Sequence, residues 1–187
     1  MNKNSYYNEV LDFYIEKPDS WAFLPTSWAM NIRKKTAVSN EDIKKIVEQA
    51  NLPFVYMQKP SSNTKLAYPT VQATCRHFKT PDAEKMEALL LKQLTVFEQQ
   101  FADYRILDYS SKNRLSGCPA NFFKVSFSIK NAAGTVFKCQ SQSWVIFRHD
   151  IAYTVGLSGS TENIGEYQDD HQFILNSILV GQNSFFQ

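Results

Sequence analysis

Residues 123–130 read Phe123-Lys124-Val125-Ser126-Phe127-Ser128-Ile129-Lys130, an alternation of apolar and polar side chains. Because successive side chains of a β-strand point to opposite faces, this pattern predicts a strand with one buried and one solvated face. The residues that follow, Asn131-Ala132-Ala133-Gly134, are typical of a hairpin turn. The segment therefore predicts an antiparallel sheet, and the neighbouring sequence extends it on both sides.

Strands are predicted on either side of this segment. Val136–Phe147 is a long strand, and a shift in its pattern at Ser141–Trp144 indicates a bulge. The sequence Arg148-His149-Asp150 is a tight turn that leads into a last strand over Ile151–Leu157. Arg105–Asn113 also has strand character. These four antiparallel segments form a meander.

The first third of the chain adds shorter strands. A β-rich run over Val10–Ile15 ends in a turn, after which Trp21 is expected to reach the core. Further elements are predicted as strands at Phe54–Gln58 and Val71–His77, with an exposed loop at Lys59–Lys65 between them.

Three helices accompany the strands. Ser39–Ala50 carries one apolar stripe, and a C-terminal helix is predicted near Asn163–Leu179. The clearest helix is Pro81–Tyr104, with Thr80 as the cap and Pro81 in the first position. Its apolar seam is formed by Leu90, Leu94, Phe97, Phe101 and Tyr104. The element order predicts an α+β fold, one antiparallel sheet covered by helices, in a single domain spanning residues 1–187.

Composition excludes several classes of protein. The chain has 187 residues, of which 43% are hydrophobic and 20% are charged, so it is an ordinary globular sequence. The net charge of +2 is too small to indicate a nucleic-acid partner. No apolar run approaches the roughly 18–20 residues that cross a bilayer, so no membrane span is predicted. Aromatic residues are frequent, and five of them are predicted to be buried: Trp21, Phe97, Phe101, Phe123 and Phe127.

Charge is distributed unevenly along the chain. Residues 1–148 carry a net charge of +7, whereas residues 149–187 contain no Lys or Arg and carry −5. Spacing on a regular helix would place four acids on one exposed face: Glu162, Glu166, Asp169 and Asp170. We predict that this face is solvated, rather than a cation site, and that it is a candidate partner-binding surface. On a regular helix Phe173 falls on the same face. This indicates either that the helix breaks near Gln168–Asp170 or that the Phe173 side chain contacts another group.

The sequence contains no assembled catalytic constellation, and no enzyme activity, metal site or cofactor is predicted. His149-Asp150 lies in a turn and lacks the further His and Asp residues of a metal phosphohydrolase. Cys75 and His77 share a strand face with Ala73, which makes that face look like core rather than a nucleophile site. The three cysteines match no zinc spacing and no closed disulfide framework. No glycine-rich phosphate loop occurs.

The N-terminal residues have no apolar segment of the kind found in a signal peptide. This predicts a cytoplasmic location if the sequence is full length. The alternative is a periplasmic location if a leader was removed.

The order of motifs resembles the PsbP-like superfamily, which includes PsbP, the Ran-binding Mog proteins and bacterial DcrB-like envelope proteins. The motifs are the opening Phe13–Pro18 with Trp21, then Arg114–Ala120, the strand with Gln140, Gln142 and Trp144, the segment Ala152–Val155, and the end Phe173–Ile178. The resemblance implies an α/β/α sandwich with a central antiparallel sheet and a role in docking rather than catalysis. A cystatin-like fold is the second choice of architecture.

Two functional hypotheses follow. The first is a non-enzymatic docking or accessory protein that binds a protein partner through its surface. Its candidate contacts are the sheet edge, the Lys59–Lys65 loop and the acidic C-terminal residues. The alternative is a small-molecule or lipid-binding protein with an aromatic pocket between the sheet and the long helix.

Overall fold

A computed structural model describes residues 3–27, 52–60, 66–130 and 134–181. The strands in these ranges are Ser5–Asn8 (β1), Phe13–Glu16 (β2), Ala22–Phe23 (β3), Val55–Gln58 (β4), Thr70–His77 (β5), Ala102–Leu115 (β6), Cys118–Lys130 (β7), Val136–Arg148 (β8), Ile151–Ser160 (β9) and Leu179–Val180 (β10). The α-helices are Ala83–Gln100 (α1) and Gln168–Ser177 (α2), and a 3-10 helix at Ile164–Tyr167 precedes α2. The predicted helix Ser39–Ala50, residues 61–65 of the predicted loop and residues 131–133 of the predicted turn lie outside the described residues.

The described strands form two sheets. Seven of them make one sheet in the order β3-β4-β5-β9-β8-β7-β6, and a small sheet has the order β1-β2-β10. Every strand pair is antiparallel. The predicted α+β fold is confirmed, and β6 to β9 form the predicted meander.

Helices cover both faces of the large sheet. On one face, the apolar side of α1 packs on β7, β8 and β9 through Met86, Leu90, Leu94, Phe123, Val125, Val145, Phe147 and Ala152. On the other face, α2 and the small sheet pack on β4, β5 and β9, with a core that includes Phe13, Ile15, Val71, Tyr153, Val155, Ile174 and Ile178. Alternation along each strand supplies both cores, because Val145 faces α1 and the next residue, Ile146, faces α2. This is the α/β/α arrangement that the resemblance implied.

The long helix is shorter at both ends than its apolar seam predicts. Asp82, not Thr80, is the N-cap, and its side chain accepts a hydrogen bond from the backbone N–H of Lys85 at 2.9 Å. The Thr80 hydroxyl instead donates to the His149 carbonyl at 2.9 Å. At the other end, Phe101 adopts extended backbone angles and β6 begins at the next residue. The seam therefore continued into a strand, which places Tyr104 on β6.

Two strand predictions need correction. The predicted strand over Val10–Ile15 holds only from Phe13, where β2 begins, and Val10 is 92% exposed in the turn between β1 and β2. Asn8 closes that turn by accepting a hydrogen bond from the Leu11 N–H at 2.9 Å. The predicted bulge at Ser141–Trp144 is wrong, because the β7–β8 register runs unbroken there. The register shifts lie instead between β6 and β7.

The aromatic core prediction is confirmed in part. Trp21 and Phe123 are buried, with exposed fractions of 2% each. Phe97, Phe101 and Phe127 are only half-buried, which corrects the prediction that all five are buried. These three rings lie at the edge of an open cleft between α1 and the sheet.

Candidate functional site

Three of the four predicted acidic residues are exposed. Glu162 follows β9, Glu166 lies in the 3-10 helix and Asp169 lies in the first turn of α2. The prediction assumed that the four acids share one regular helix. They do not, because a 3-10 helix gives way to an α-helix at Gln168. Within the described residues, none of these three carboxylates forms an ion pair.

Asp170 differs from the other three acids because it turns towards the interior. One of its carboxylate oxygens accepts hydrogen bonds from Trp21 Nε1 at 2.8 Å and from Lys59 Nζ at 2.7 Å. Burial raises the pKa of Asp170, but the hydrogen bonds from Lys59 and Trp21 outweigh it and hold the pKa below its usual value. The prediction that Asp170 belongs to an exposed acidic face is therefore wrong. The local sequence around Asp170 does not predict this position, because both partners, Trp21 and Lys59, are distant in sequence.

Asp170→Ala is expected to lower the free energy of unfolding by about 1–3 kcal/mol, because the buried Trp21 N–H loses its acceptor and Lys59 loses its counterion. Asp169→Ala is the matched control, since its side chain is exposed, and it should change stability by less than about 0.5 kcal/mol. Urea unfolding of both variants measures the difference. Equal effects would contradict the interior role of Asp170.

His171 lies beside this ion pair in the core. It is 7% exposed, and its ring centroid is 5.9 Å from that of Trp21. Burial lowers its pKa to about 4, against the opposing influence of Asp170, and Lys59 lowers it further. The imidazole is therefore neutral at pH 7. Its Nε2 atom has no hydrogen-bond partner among the described residues.

Phe173 is exposed beside the free acids. Its side chain is 47% exposed, and it lies one helical turn after Asp169 on α2. The sequence predicted either a helix break near Gln168–Asp170 or a contact for Phe173. The structure has the break, because the 3-10 helix changes to an α-helix at Gln168. We call the group Glu162, Glu166, Asp169 and Phe173 the acidic C-terminal surface.

A cleft of about 720 Å³ lies between α1 and the face of the large sheet formed by β5, β9, β8 and β7. One side is aromatic, with Phe97, Phe101, Phe123 and Phe127. The other side is polar, with Gln72, Thr74, Ser141, Ser143, Thr154 and Ser158. The sequence predicted an aromatic pocket in this position, and the polar floor was not predicted.

Among the described residues, β6 is one edge strand of the large sheet and β3 is the other. Three apolar side chains of β6 are about half exposed: Ile106, Leu107 and Tyr109. Three register shifts interrupt its pairing with β7. Irregularities of this kind twist an edge strand and reduce its ability to pair with a further strand.

The residues considered for catalysis remain separate. His149 and Asp150 are exposed in the turn between β8 and β9, as predicted. His77 is exposed at the end of β5, and burial raises the pKa of the Cys75 thiol, which does not favour a reactive thiolate. Within the described residues, no three His, Cys, Asp or Glu side chains come together as a metal site.

Cys75 and Cys139 are not on neighbouring strands. Cys75 pairs with Tyr153 on β9, whereas Cys139 pairs with Ser160 on the same strand. Their partners are seven residues apart along β9, roughly 23 Å at the rise of an extended strand, so these two thiols cannot meet.

No protein-family model matches this chain, and no curated protein sequence matches it. Solved structures do match. PsbP (CyanoP) from Synechocystis sp. PCC 6803 has a TM-score of 0.52 at 9% identity, with coverage of 94% of this chain and 91% of that chain. The Ran-binding protein Mog1p of Saccharomyces cerevisiae has a TM-score of 0.51 at 11% identity, with full coverage of both chains. The fold is that of the PsbP-like proteins.

A third similar structure is LpqN of Mycobacterium tuberculosis, a protein involved in cell envelope biogenesis. Its TM-score is 0.53 at 13% identity, and the match covers 90% of this chain and 82% of that chain. At such identities the likeness concerns the PsbP-like fold alone. No helix among the described residues has the length and apolar character needed to cross a membrane.

Proposed function

We propose that this protein is a non-enzymatic docking protein that binds a basic surface of a protein partner through its acidic C-terminal surface. The observation that carries the proposal is the exposure of Phe173 next to Asp169, with Glu166 and Glu162 preceding them. A few residues supply most of the affinity of a typical interface, and aromatic side chains, Phe included, are enriched at interfaces. The exposed acids that precede Phe173 in the chain favour a partner of opposite charge.

The charge distribution supports a basic partner. Residues 149–187 contain no Lys or Arg, so no cation in this part of the chain reduces the field of the three exposed acids. Lys59 is already engaged by Asp170 at 2.7 Å. A negative surface on a basic body accelerates encounter with a basic partner and orients the two molecules as they approach.

The structural neighbours support an interaction role. One of them is a Ran-binding protein and another is a PsbP protein. No cofactor enters the proposal, and no three His, Cys, Asp or Glu side chains of the described residues come together as a metal site.

Site-specific photo-crosslinking in the source cells tests the proposal. A photoreactive phenylalanine analogue replaces Phe173 in one variant and Tyr109 on the β6 edge in a second variant, since both side chains are about half exposed. The expected result is a discrete crosslinked protein at position 173 that disappears when Glu162, Glu166 and Asp169 are neutralised. A crosslink at position 109 alone would move the contact to the sheet edge and contradict the proposal.

A further inference from the structure

The sheet face beneath α1 changes character from one edge to the other. Phe123 on β7 is level with Ser143 on β8. Gly156 on β9 and Gln72 on β5 continue the same row. The row therefore runs from an aromatic ring to a small hydroxyl, then to a position without a side chain, and ends at an amide.

At the level of this row, α1 packs on its aromatic end. The rings of Phe97 and Phe123 are 5.7 Å apart, and those of Phe101 and Phe127 are 4.5 Å apart. Beyond these contacts the helix and the polar half of the face enclose the cleft of about 720 Å³. That volume lies within the roughly 300–1,000 Å³ typical of small-molecule sites.

The charge of the cleft has one sign. Among the described residues that line it, Arg76 and Lys92 are the charged ones, and no Asp or Glu is present. Arg76 ends the β5 wall, with its guanidinium 5.0 Å from the ring centroid of Phe78. The cleft thus has an aromatic side and a rim that attracts an anion.

Two polar atoms in the cleft wall have no partner among the described residues, namely Asn121 Oδ1 and Tyr104 Oη. Asn121 is 1% exposed, and its Nδ2 donates to the Met86 carbonyl at 2.9 Å, which fixes the orientation of the amide. Burial and the nearby Glu98 raise the pKa of Tyr104 to about 12, so its hydroxyl remains a donor at neutral pH. Buried polar groups usually have a partner, and a bound molecule that reaches these two atoms would supply one.

The two unpartnered atoms lie towards opposite ends of the cleft. Asn121 is near the start of β7, whereas Tyr104 is at the level of Ser126–Ser128 through the β6–β7 register. Six residues of extended strand separate Asn121 from Phe127, roughly 20 Å. The site is therefore elongated, with Arg76 towards the Asn121 end, because Arg76 is in the row next to the one that contains Asn121.

We propose that this cleft binds an elongated amphipathic organic acid, with its anionic group near Arg76 and Lys92 and its aliphatic or aromatic body against Phe97, Phe101 and Phe127. The proposal is independent of the docking function, since the acidic C-terminal surface lies on another part of the fold. The fluorescent fatty acid dansylaminoundecanoate is the probe, and its methyl ester is the neutral counterpart.

Gly156→Leu tests whether the cleft is the site. A Cβ at this position would be 3.5 Å from Ser143 Oγ and 3.9 Å from Gln72 Cγ, which are ordinary contacts, so the first carbon fits and the rest of the side chain enters the cleft. We expect saturable binding of one probe per wild-type chain and a loss of affinity of at least about tenfold in the variant. Thr154→Leu, which fills the same cleft from the next row, provides a second variant if the first does not fold.

Arg76→Gln combined with Lys92→Gln tests the anionic end. Removing charge-assisted contacts should weaken probe binding about tenfold or more and abolish the preference for the acid over its ester. Lys112→Gln combined with Lys138→Gln is the matched control, because both lysines are exposed and neither lines the cleft, and it should bind as the wild type does. Absence of saturable binding to the wild type, or wild-type affinity in both cleft-filling variants, would overturn the site. Wild-type affinity in the Arg76 and Lys92 variant would overturn the proposal that these two residues bind the anionic group of the ligand.

Discussion

Phe123→Ala is expected to lower the free energy of unfolding by about 3–5 kcal/mol, the cost of removing a large buried ring from the core beneath α1. Phe123 is 2% exposed and packs against α1 at the centre of that core. Its neighbours on β7 and β8 are held by an unbroken register, so they cannot move to fill the cavity. Urea unfolding at constant m-value measures the loss.

Phe97→Ala is the matched control for Phe123. The centroids of the two rings are 5.7 Å apart, but Phe97 is only half-buried at the edge of the cleft. Its removal should cost about 1–2 kcal/mol, because part of the ring already faces solvent. Equal losses for the two variants would mean that the cleft is closed in solution.

Acidification from pH 7 to pH 4 is expected to lower the free energy of unfolding by about 2–3 kcal/mol through His171. The pKa of this histidine is about 4 in the folded protein and ordinarily 6.5. Between these values the unfolded chain binds more protons, so stability falls as the pH decreases through 6.5 and stops falling near 4. Asp170, whose pKa is lowered, loses its contribution only below this window.

His171→Phe should abolish most of that decrease, because a phenyl ring can retain the packing on Trp21 without binding a proton. His77→Gln alters an exposed histidine and should leave the pH dependence as it is in the wild type. Urea unfolding of the three proteins at several pH values provides the comparison. A wild-type slope in His171→Phe would show that another group is responsible.

Alternation of side chains made most of the large sheet predictable. The two faces of β7 differ at nearly every position, so its strand character was readable from the sequence alone. The β8 pattern was harder to read because Ser141 and Ser143 face the cleft, where apolar residues are not required. The polar side chains that suggested a bulge are the serines of the cleft floor. The short strand β10 was missed because two residues carry no periodicity.

The candidate surface was predictable where it depended on local charge and not where it depended on distant partners. Exposure of Glu162, Glu166 and Asp169 follows from a segment with no cation of its own. The inward position of Asp170 depends on Lys59, which is 111 residues away in sequence. The cleft likewise depends on where α1 crosses the sheet, a tertiary property that helix periodicity does not report.

Electrostatic steering of a basic partner by the three exposed acids is measured by the rate of association. Glu162→Gln, Glu166→Gln and Asp169→Asn are combined and compared with Glu84→Gln, Glu87→Gln and Glu98→Gln on the exposed side of α1. With the partner that crosslinking at position 173 identifies, we expect an association rate about tenfold lower than wild type at low salt for the first variant only. The difference should vanish as salt rises, and stability should stay within about 1 kcal/mol of wild type. An unchanged association rate, or an equal decrease in the α1 variant, would show that these three acids do not steer the partner.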